Sequence, residues 1–454
     1  MNLAAGSVWG LVTASGQWGV MPTDRLNANR DIVDLRSGEN AVRMLTKPTK
    51  ALRGSSVDII CRWNGSGTVS ASGVPVRNVR VSGNKLTFTY AIVADDNAHV
   101  VIKNLIPSDP VRDVDCRETD ADPNAMFDPV FMSEVKRYSV LRFMKWNQAV
   151  ESNVVVTWAD RNKPGQGSFA GPDGVPIEYM IQLANEAGSD PWFAIPWNAD
   201  DEYIRKFAEL VRDRLHPSRK AYVEVSNEVW NYAYPVTGQA ASEGMAAGLS
   251  TNSHEAMLRR YAQKTGSVMD VWSSVFAGQM HRIVRVAAIQ TGAWGAEKVL
   301  DFDQTASKVD ALASAPYFYK DMTPGMITTS ASLDQYFKDL GADMLVRIKY
   351  AKDTKAAATR FGVRYITYEA GQHVTSPQDV TQLDRVQRDP RMGQLYTTYL
   401  TSWKDQIGDL MVLFQDYGGA GKYGAFGQKD YVGQPLSEAP KENAVELFRQ
   451  SYVR

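Results

Sequence analysis

Two textures of apolar and polar positions divide this chain. Between residues 51 and 105, apolar and polar side chains are interleaved in short strand-like runs, at 57–63, 68–70, 76–81, 85–90 and 99–102. Turn pairs such as Asn64-Gly65 and Gly83-Asn84 punctuate them. This pattern predicts strands with one covered face, and their spacing predicts a small β-sandwich. The Asp- and Pro-rich segment 107–129 reads as a linker or rim loop. From residue 139 onward the pattern becomes strand alternating with helix. Strands are predicted at 139–144, 191–196, 221–225, 283–290, 309–317, 363–369 and 409–415. Helices are predicted at 177–187, 201–215, 254–276, 333–361 and 391–406. In the second of these, Tyr203, Phe207, Leu210, Val211 and Leu215 fall on one face.

Seven strands in a βα repeat point to an α/β chain built as a (β/α)8 TIM barrel, which needs eight. The short apolar run 6–13 is the best candidate for the missing first strand. The β-rich stretch is then a small sandwich-like domain inserted near the N-terminus. The predicted organisation is a first barrel strand and connecting segment over 1–45, an accessory β domain over 46–125, and the main part of the barrel over 126–454. The competing layout is an independent N-terminal sandwich with the eighth strand elsewhere.

Two strand ends carry chemistry. Val223 and Val225 alternate with Glu224 and Ser226, and then Asn227, Glu228, Trp230 and Asn231 follow almost in a row. A later strand ends Tyr368-Glu369, and the small residues Ala370 and Gly371 leave room for something to approach. By the strand count Glu228 ends strand four and Glu369 strand seven, so both face the cleft at the carboxyl end of the barrel. Retaining glycoside hydrolysis needs this pair, one carboxyl to protonate the leaving oxygen and one to attack the sugar carbon. Asn227 beside the first is suited to a substrate hydroxyl.

Composition narrows the partners. Across 454 residues, 50 basic and 51 acidic side chains balance to −1, so no basic field points to nucleic acid or an anionic membrane. The expected partner is a polysaccharide or oligosaccharide substrate. The 11 Trp and 20 Tyr suit sugar rings, and Trp146, Trp158, Trp197 and Trp230 are read as stacking platforms, with core packing as the alternative. The five His are scattered and no Cys-x-x-Cys occurs, so neither a metal nor a cofactor is expected. Whether Cys61 and Cys116 pair is left open. Residues 1–6 show no basic leader and no membrane span, while a polysaccharide substrate argues for action outside the cell, on a secreted or virion-associated protein. Asp160, Asp200 and Asp201 read as caps or turns. Gly418-Gly419-Ala420-Gly421-Lys422 lacks the spacing of a phosphate loop and reads as a flexible loop over the cleft.

The phrases Val140-Leu141-Arg142-Phe143-Met144-Lys145-Trp146, Trp158-Ala159-Asp160-Arg161, Val223 to Asn231 and Ala315-Pro316-Tyr317, together with Glu369, resemble clan A glycoside hydrolases, the 4/7 barrels. Within that clan they look like a bacterial group often labelled cellulose-binding. The resemblance covers roughly residues 50 to 450. It implies Glu228 as acid/base, Glu369 as nucleophile, Asn227 on the sugar 2-hydroxyl, Arg142 beside the nucleophile, and Tyr317 or Tyr319 hydrogen-bonded to it. It also implies that Arg142 keeps Glu369 ionised while a dry pocket raises Glu228. Two positions depart from the pattern. Phe414, Gln415 and Tyr417 stand where a strand-eight tryptophan is usual, and Trp197-Asn198 stand where a strand-three histidine is usual. These departures bear on the substrate more than on the reaction. The implied activity is a retaining hydrolase of a β-linked polysaccharide or bacterial exopolysaccharide. The alternatives are a non-catalytic carbohydrate-binding protein on a barrel scaffold, or a virion- or cell-surface glycan depolymerase. Sugar, linkage, endo or exo action and oligomeric state are not legible.

Overall fold

The structure is a computed structural model and describes residues 2–52, 54–91, 97–149, 155–166, 168–171 and 173–452. The chain divides into two compact units. One comprises Met1–Tyr138, Lys145–Gln148 and Thr157–Ala187, the other Ser139–Met144, Ala149–Val156 and Gly188–Arg454.

The first unit holds β1 (Gly10–Val12), β2 (Trp18–Val20), β3 (Asn40–Met44), β4 (Val57–Asn64), β5 (Gly67–Ser72), β6 (Val76–Ser82), β7 (Lys85–Tyr90), β8 (His99–Leu105) and β9 (Arg112–Glu118). They form two antiparallel sheets, ordered β2-β1-β3-β8-β5 and β6-β7-β4-β9. Apolar side chains from both sheets, among them Leu11, Val69, Val100, Ile59, Trp63 and Phe88, share one buried cluster. The sandwich expected from the alternation is therefore present, with three corrections. Residues 10–12 pair antiparallel with β2 and β3, so the run 6–13 is not the first barrel strand. The boundary at 45 falls away, because β3 pairs with β8 in the same sheet. The Asp-rich segment 107–129 contains β9, whose buried Val114 and Cys116 lie two residues apart. Charges at intervening positions masked that period in the sequence.

Cys61 and Cys116 stand directly opposite in the β4–β9 ladder and are joined by a disulfide across 55 residues of sequence. Closing a loop of that size restricts the unfolded chain by about 4 kcal/mol. Cys61→Ser/Cys116→Ser is accordingly expected to lower the urea midpoint of this unit, and reduction with dithiothreitol should do the same to the parent. Equal midpoints for oxidised and reduced protein would contradict this.

The second unit holds β10 (Val140–Arg142), β11 (Asp190–Ile195), β12 (Ala221–Val225), β13 (Ile283–Ala288), β14 (Ala311–Ser314) and β15 (Arg364–Thr367). They are hydrogen-bonded in chain order and every pair is parallel. The predicted strand 409–415 is reduced to one parallel bridge, Met411 to Thr367. Helices Asp201–Arg214, Ser253–Val275, Ala293–Leu300, Ser330–Arg360 and Pro390–Gln406 fall between or after the strands. Asp200 caps the first of these by accepting from the Tyr203 amide, while Phe207 and Val211 are buried beneath it. Residues 221 to 225 are all buried, so both faces of β12 are covered, as parallel βα units require.

The sheet is curled. In a flat sheet β10 and β15 would lie five inter-strand spacings apart, about 24 Å. Yet Arg142, at the end of β10, donates to Glu369, just past β15, at 2.8 Å. Barrel curvature brings these two ends together. Among the described residues no helix is long and apolar enough to cross a membrane.

Candidate active site

The site grows from register. Arg142 pairs with Trp192, and Trp192 with Tyr222, two residues before Glu224. Side chains two apart share a face, so Arg142, Trp192 and Glu224 converge on one side of the sheet. Beyond β12 the backbone turns sharply, with Ser226 at φ +57° and Glu228 at φ +44°. Non-glycine residues rarely hold this conformation, which costs of the order of 1 kcal/mol or more each and is typical of sites where a side chain must be aimed. After β15, Gly371 adopts φ +125°, and a Cβ there would lie 2.7 Å from the Tyr396 hydroxyl. That position requires glycine.

Arg142 is the hub. Its Nε and Nη2 both donate to Glu224, at 3.0 and 2.9 Å to Oε2. Nη2 also donates to Asn227 Oδ1 at 2.7 Å, and Nη1 to Glu369 Oε1 at 2.8 Å. Trp192 Nε1 donates to Glu224 Oε2 at 2.8 Å. Of the two tyrosines named above, Tyr317 is the one that reaches the carboxylate, donating its hydroxyl to Glu369 Oε2 at 2.9 Å. Glu228 is held separately. Tyr368 donates its hydroxyl to Oε1 at 2.8 Å, and Asn231 Nδ2 donates to Oε2 at 2.7 Å. Burial, reinforced by the neighbouring carboxylates, pushes both tyrosine hydroxyls well up, so they remain donors through neutral pH.

Charge sets the proton balance. Glu224 is fully buried and Glu369 is 6% exposed, and one guanidinium serves both. Burial raises Glu369 to about 7, against the lowering effect of Arg142 and with a further upward push from the charge of Glu228. The expectation that Arg142 dominates at Glu369 is therefore corrected. Glu224 takes most of the fork of Arg142, and desolvation outweighs what remains. Glu224 is itself raised by burial.

This has a measurable consequence for stability. A carboxyl at about 7 in the folded chain against 4.5 unfolded binds its proton more tightly when folded. Its protonated form favours folding below the lower value, and that contribution is lost as pH rises through the upper one. At 1.36 kcal/mol per unit the full difference is about 3 kcal/mol. Glu369→Gln never ionises, so it is expected to match the parent at pH 5 and to be more stable at pH 8, as read by Tm against pH. Parallel profiles would refute the assignment.

The remaining predicted residues scatter. Trp197 is buried, with Nε1 donating to Glu243 at 3.3 Å, and Asn198 exchanges hydrogen bonds with Gln239. Trp230 is buried against Tyr261 and Tyr368. Trp197 and Trp230 are thus walls rather than platforms. Trp146 and Trp158 belong to the other compact unit, where the Trp158 ring lies 4.1 Å from the Arg161 guanidinium. Tyr319 is half exposed under Arg347. Phe414 packs on Phe426, which also contacts Tyr317 and His373, and the Gln415 amide donates to the Phe426 carbonyl at 3.1 Å. The loop after position 414 is partly anchored. Gln372 and Lys441 both donate to the Ala425 carbonyl at 2.7 Å, so 424–429 is held down while Lys422 and Tyr423 stay exposed. A cavity of about 230 Å³ adjoins Tyr317 and is lined also by Gln290, Thr291, Tyr319, Arg347 and His373.

Glu224, Trp192 and Tyr368 were not singled out from sequence as parts of the site, and Asn231 was noted only as part of the run after β12. The signal for Glu224 was present, a carboxylate between two valines of a strand. Period-two alternation made it look solvent-facing, although a parallel strand flanked on both sides has no solvent face. Among the described residues no group of three or more His, Cys, Asp or Glu is arranged to hold a metal ion.

No family model matches the chain, and no curated protein is significantly similar to it. Solved structures do resemble it. An α-L-arabinofuranosidase from Thermotoga maritima, in complex with arabinose, is 16% identical over 67% of this chain and 61% of its own, with a TM-score of 0.42. The chain thus spans less than two thirds of that enzyme's length. A GH51 arabinofuranosidase from Xanthomonas axonopodis pv. citri is 12% identical, with 73% and 67% covered and a TM-score of 0.45. An endo-β-1,4-mannanase from Thermotoga petrophila is 11% identical, with 72% and 74% covered and a TM-score of 0.37.

Proposed function

We propose that the chain is a retaining glycoside hydrolase acting on a β-linked polysaccharide, with Glu369 as nucleophile and Glu228 as acid/base. One observation carries the reading. Two carboxylates stand at the ends of β12 and β15, each oriented by two rigid donors, and the charge of Glu228 is felt at Glu369. Nothing in core packing calls for that arrangement, whereas double displacement does. Glu228 delivers a proton to the glycosidic oxygen as Glu369 Oε attacks the anomeric carbon, and the glycosyl ester forms as the leaving group departs. Glu228 then takes a proton from water, which attacks the same carbon and frees Glu369. Asn227, whose carbonyl oxygen accepts from Arg142, is the residue assigned to donate its amide N–H to the substrate 2-hydroxyl. The disulfide fits action in an oxidising environment, outside the cell or at a surface.

Attack needs ionised Glu369. Because that group sits at about 7, kcat/KM is expected to rise with pH up to about that value, as a property of the coupled cluster. The direct test is reducing-end release from plant and bacterial polysaccharides, with NMR of the first anomer formed. Release with retained configuration supports the reading. Release with inversion removes Glu369 as nucleophile, and binding without release from any glycan moves the chain to the carbohydrate-binding alternative.

A further inference from the structure

Beyond the carboxylates lies an exposed row of rings. Tyr232 and Trp294 are 72% and 50% exposed. Between them sits His254, with ring centroids 6.3 Å from Tyr232 and 5.7 Å from Trp294 and planes inclined by only 24° and 14°. Nearly parallel rings at those separations are offset rather than piled face on face, since direct facial contact is at about 3.5–4.0 Å. They form a staircase longer than a single sugar ring, with its two outer rings exposed. The Tyr232 hydroxyl lies 3.4 Å from His254 Nδ1, which ties the first two steps together. Polar groups flank the row. Glu255 follows His254 and accepts from Lys298 and Arg259, and Lys298 sits over the Trp294 ring. Three different segments supply the rings: the turn after β12, the start of helix Ser253–Val275 and the start of helix Ala293–Leu300. All belong to the second unit.

The row begins one residue along the chain from the site. Tyr232 directly follows Asn231, whose side chain holds Glu228. A general acid stands beside the oxygen of the group that leaves, so a surface extending from that side meets the departing part of the glycan.

We infer that Tyr232, His254 and Trp294 form an extended subsite for the leaving-group side of a polysaccharide chain, its pyranose faces stacking on these rings. This rests on the hydrolase reading for its orientation, and its occupant is a neutral or weakly charged glycan several residues long. Apolar ring faces with flanking hydrogen-bonding groups match the alternating CH faces and hydroxyl rims of pyranoses. The subsite makes the protein select polymer over short glycosides.

The test uses the full chain with Glu369→Gln, so that substrate is not consumed, in native gels cast with xyloglucan, galactomannan, arabinoxylan or mixed-linkage β-glucan. At least one polymer should retard it. Tyr232→Ala and Trp294→Ala in that background should each weaken retardation about three- to tenfold, the loss of one stacking contact. Both rings are exposed, so circular dichroism should be unchanged. With Glu369 intact, the same two substitutions should raise KM for the polymer and leave an aryl glycoside, too short to reach the row, unaffected. No retardation by any polymer, or unchanged retardation in the double variant, overturns the inference. So does conversion of a dimer to a monomer by the double variant with polymer binding unchanged, which would make the row a contact between copies. Binding by the row without reducing-end release from the parent would leave the subsite standing and remove the hydrolase reading, whereas release with unchanged polymer KM in the double variant would do the reverse.

Discussion

Glu369→Gln is expected to lower kcat for glycoside hydrolysis by roughly 10⁴-fold or more while leaving glycan binding in place. The substitution keeps the volume and one acceptor for Arg142 Nη1 at the position now bonded at 2.8 Å. What it removes is the electron pair that, in the proposed mechanism, attacks the anomeric carbon. A smaller side chain at the same position, Glu369→Ala, opens space for azide, and the product expected is a glycosyl azide of inverted configuration. The companion change, Glu228→Ala, separates the two roles. With a polysaccharide the loss should be comparable, because the leaving alkoxide needs a proton. With an aryl glycoside carrying a good leaving group the glycosylation step should be far less affected. A Glu369→Gln protein that still turns over, measured with contaminating wild type excluded, would eliminate the double-displacement assignment.

The second large effect is on folding. Arg142→Met should destabilise the protein by about 3–5 kcal/mol at pH 8. The Arg142 side chain is 4% exposed, and it is the cation that both Glu224 and Glu369 contact in the cluster. Removing it leaves two carboxylates buried without a counter-ion. Each is already raised by burial, and each then rises further, so the cluster must take up protons to stay folded. The penalty is therefore greatest at alkaline pH and shrinks as pH falls and the carboxyls protonate. Adding Glu224→Gln to Arg142→Met should recover part of the loss, because the two sites are coupled through the same hydrogen bonds. Urea unfolding of the single and double variants at pH 5 and pH 8 reads this directly. Additive losses, independent of pH, would mean that the guanidinium acts by packing alone.

These two experiments probe one constellation from opposite sides, chemistry and charge balance. Tyr317 links them. Its hydroxyl stays protonated and gives Glu369 a second donor, so Glu369 is fixed in orientation even though one cation is shared between two carboxylates.

Much of this was written in the order of residues. The change from period-two alternation to a strand–helix repeat at position 139 located the parallel sheet, and six of its seven predicted strands appear where they were expected. Local signals suffice there, because each strand is a short apolar run and each long helix has an apolar face and a polar start. The placement of Asn227, Glu228 and Glu369 just past the ends of β12 and β15 was likewise legible, because each follows a short apolar run. Three things were decided only by the tertiary structure. The run 10–12 could have joined either kind of sheet, since three residues carry no register information, and its antiparallel partners β2 and β3 chose the sandwich. Tryptophans cannot announce whether they stack on a sugar or fill a wall, and burial assigned Trp197 and Trp230 to walls while leaving Tyr232 and Trp294 exposed. The proton balance of the site was the least legible, because it depends on how many carboxylates share one arginine. Glu224 reaches Arg142 across 82 residues and Glu369 across 227, and only the curl of the sheet makes them neighbours. Local pattern determines which elements form and which side chains end them, while desolvation and shared partners are properties of the assembled space between them.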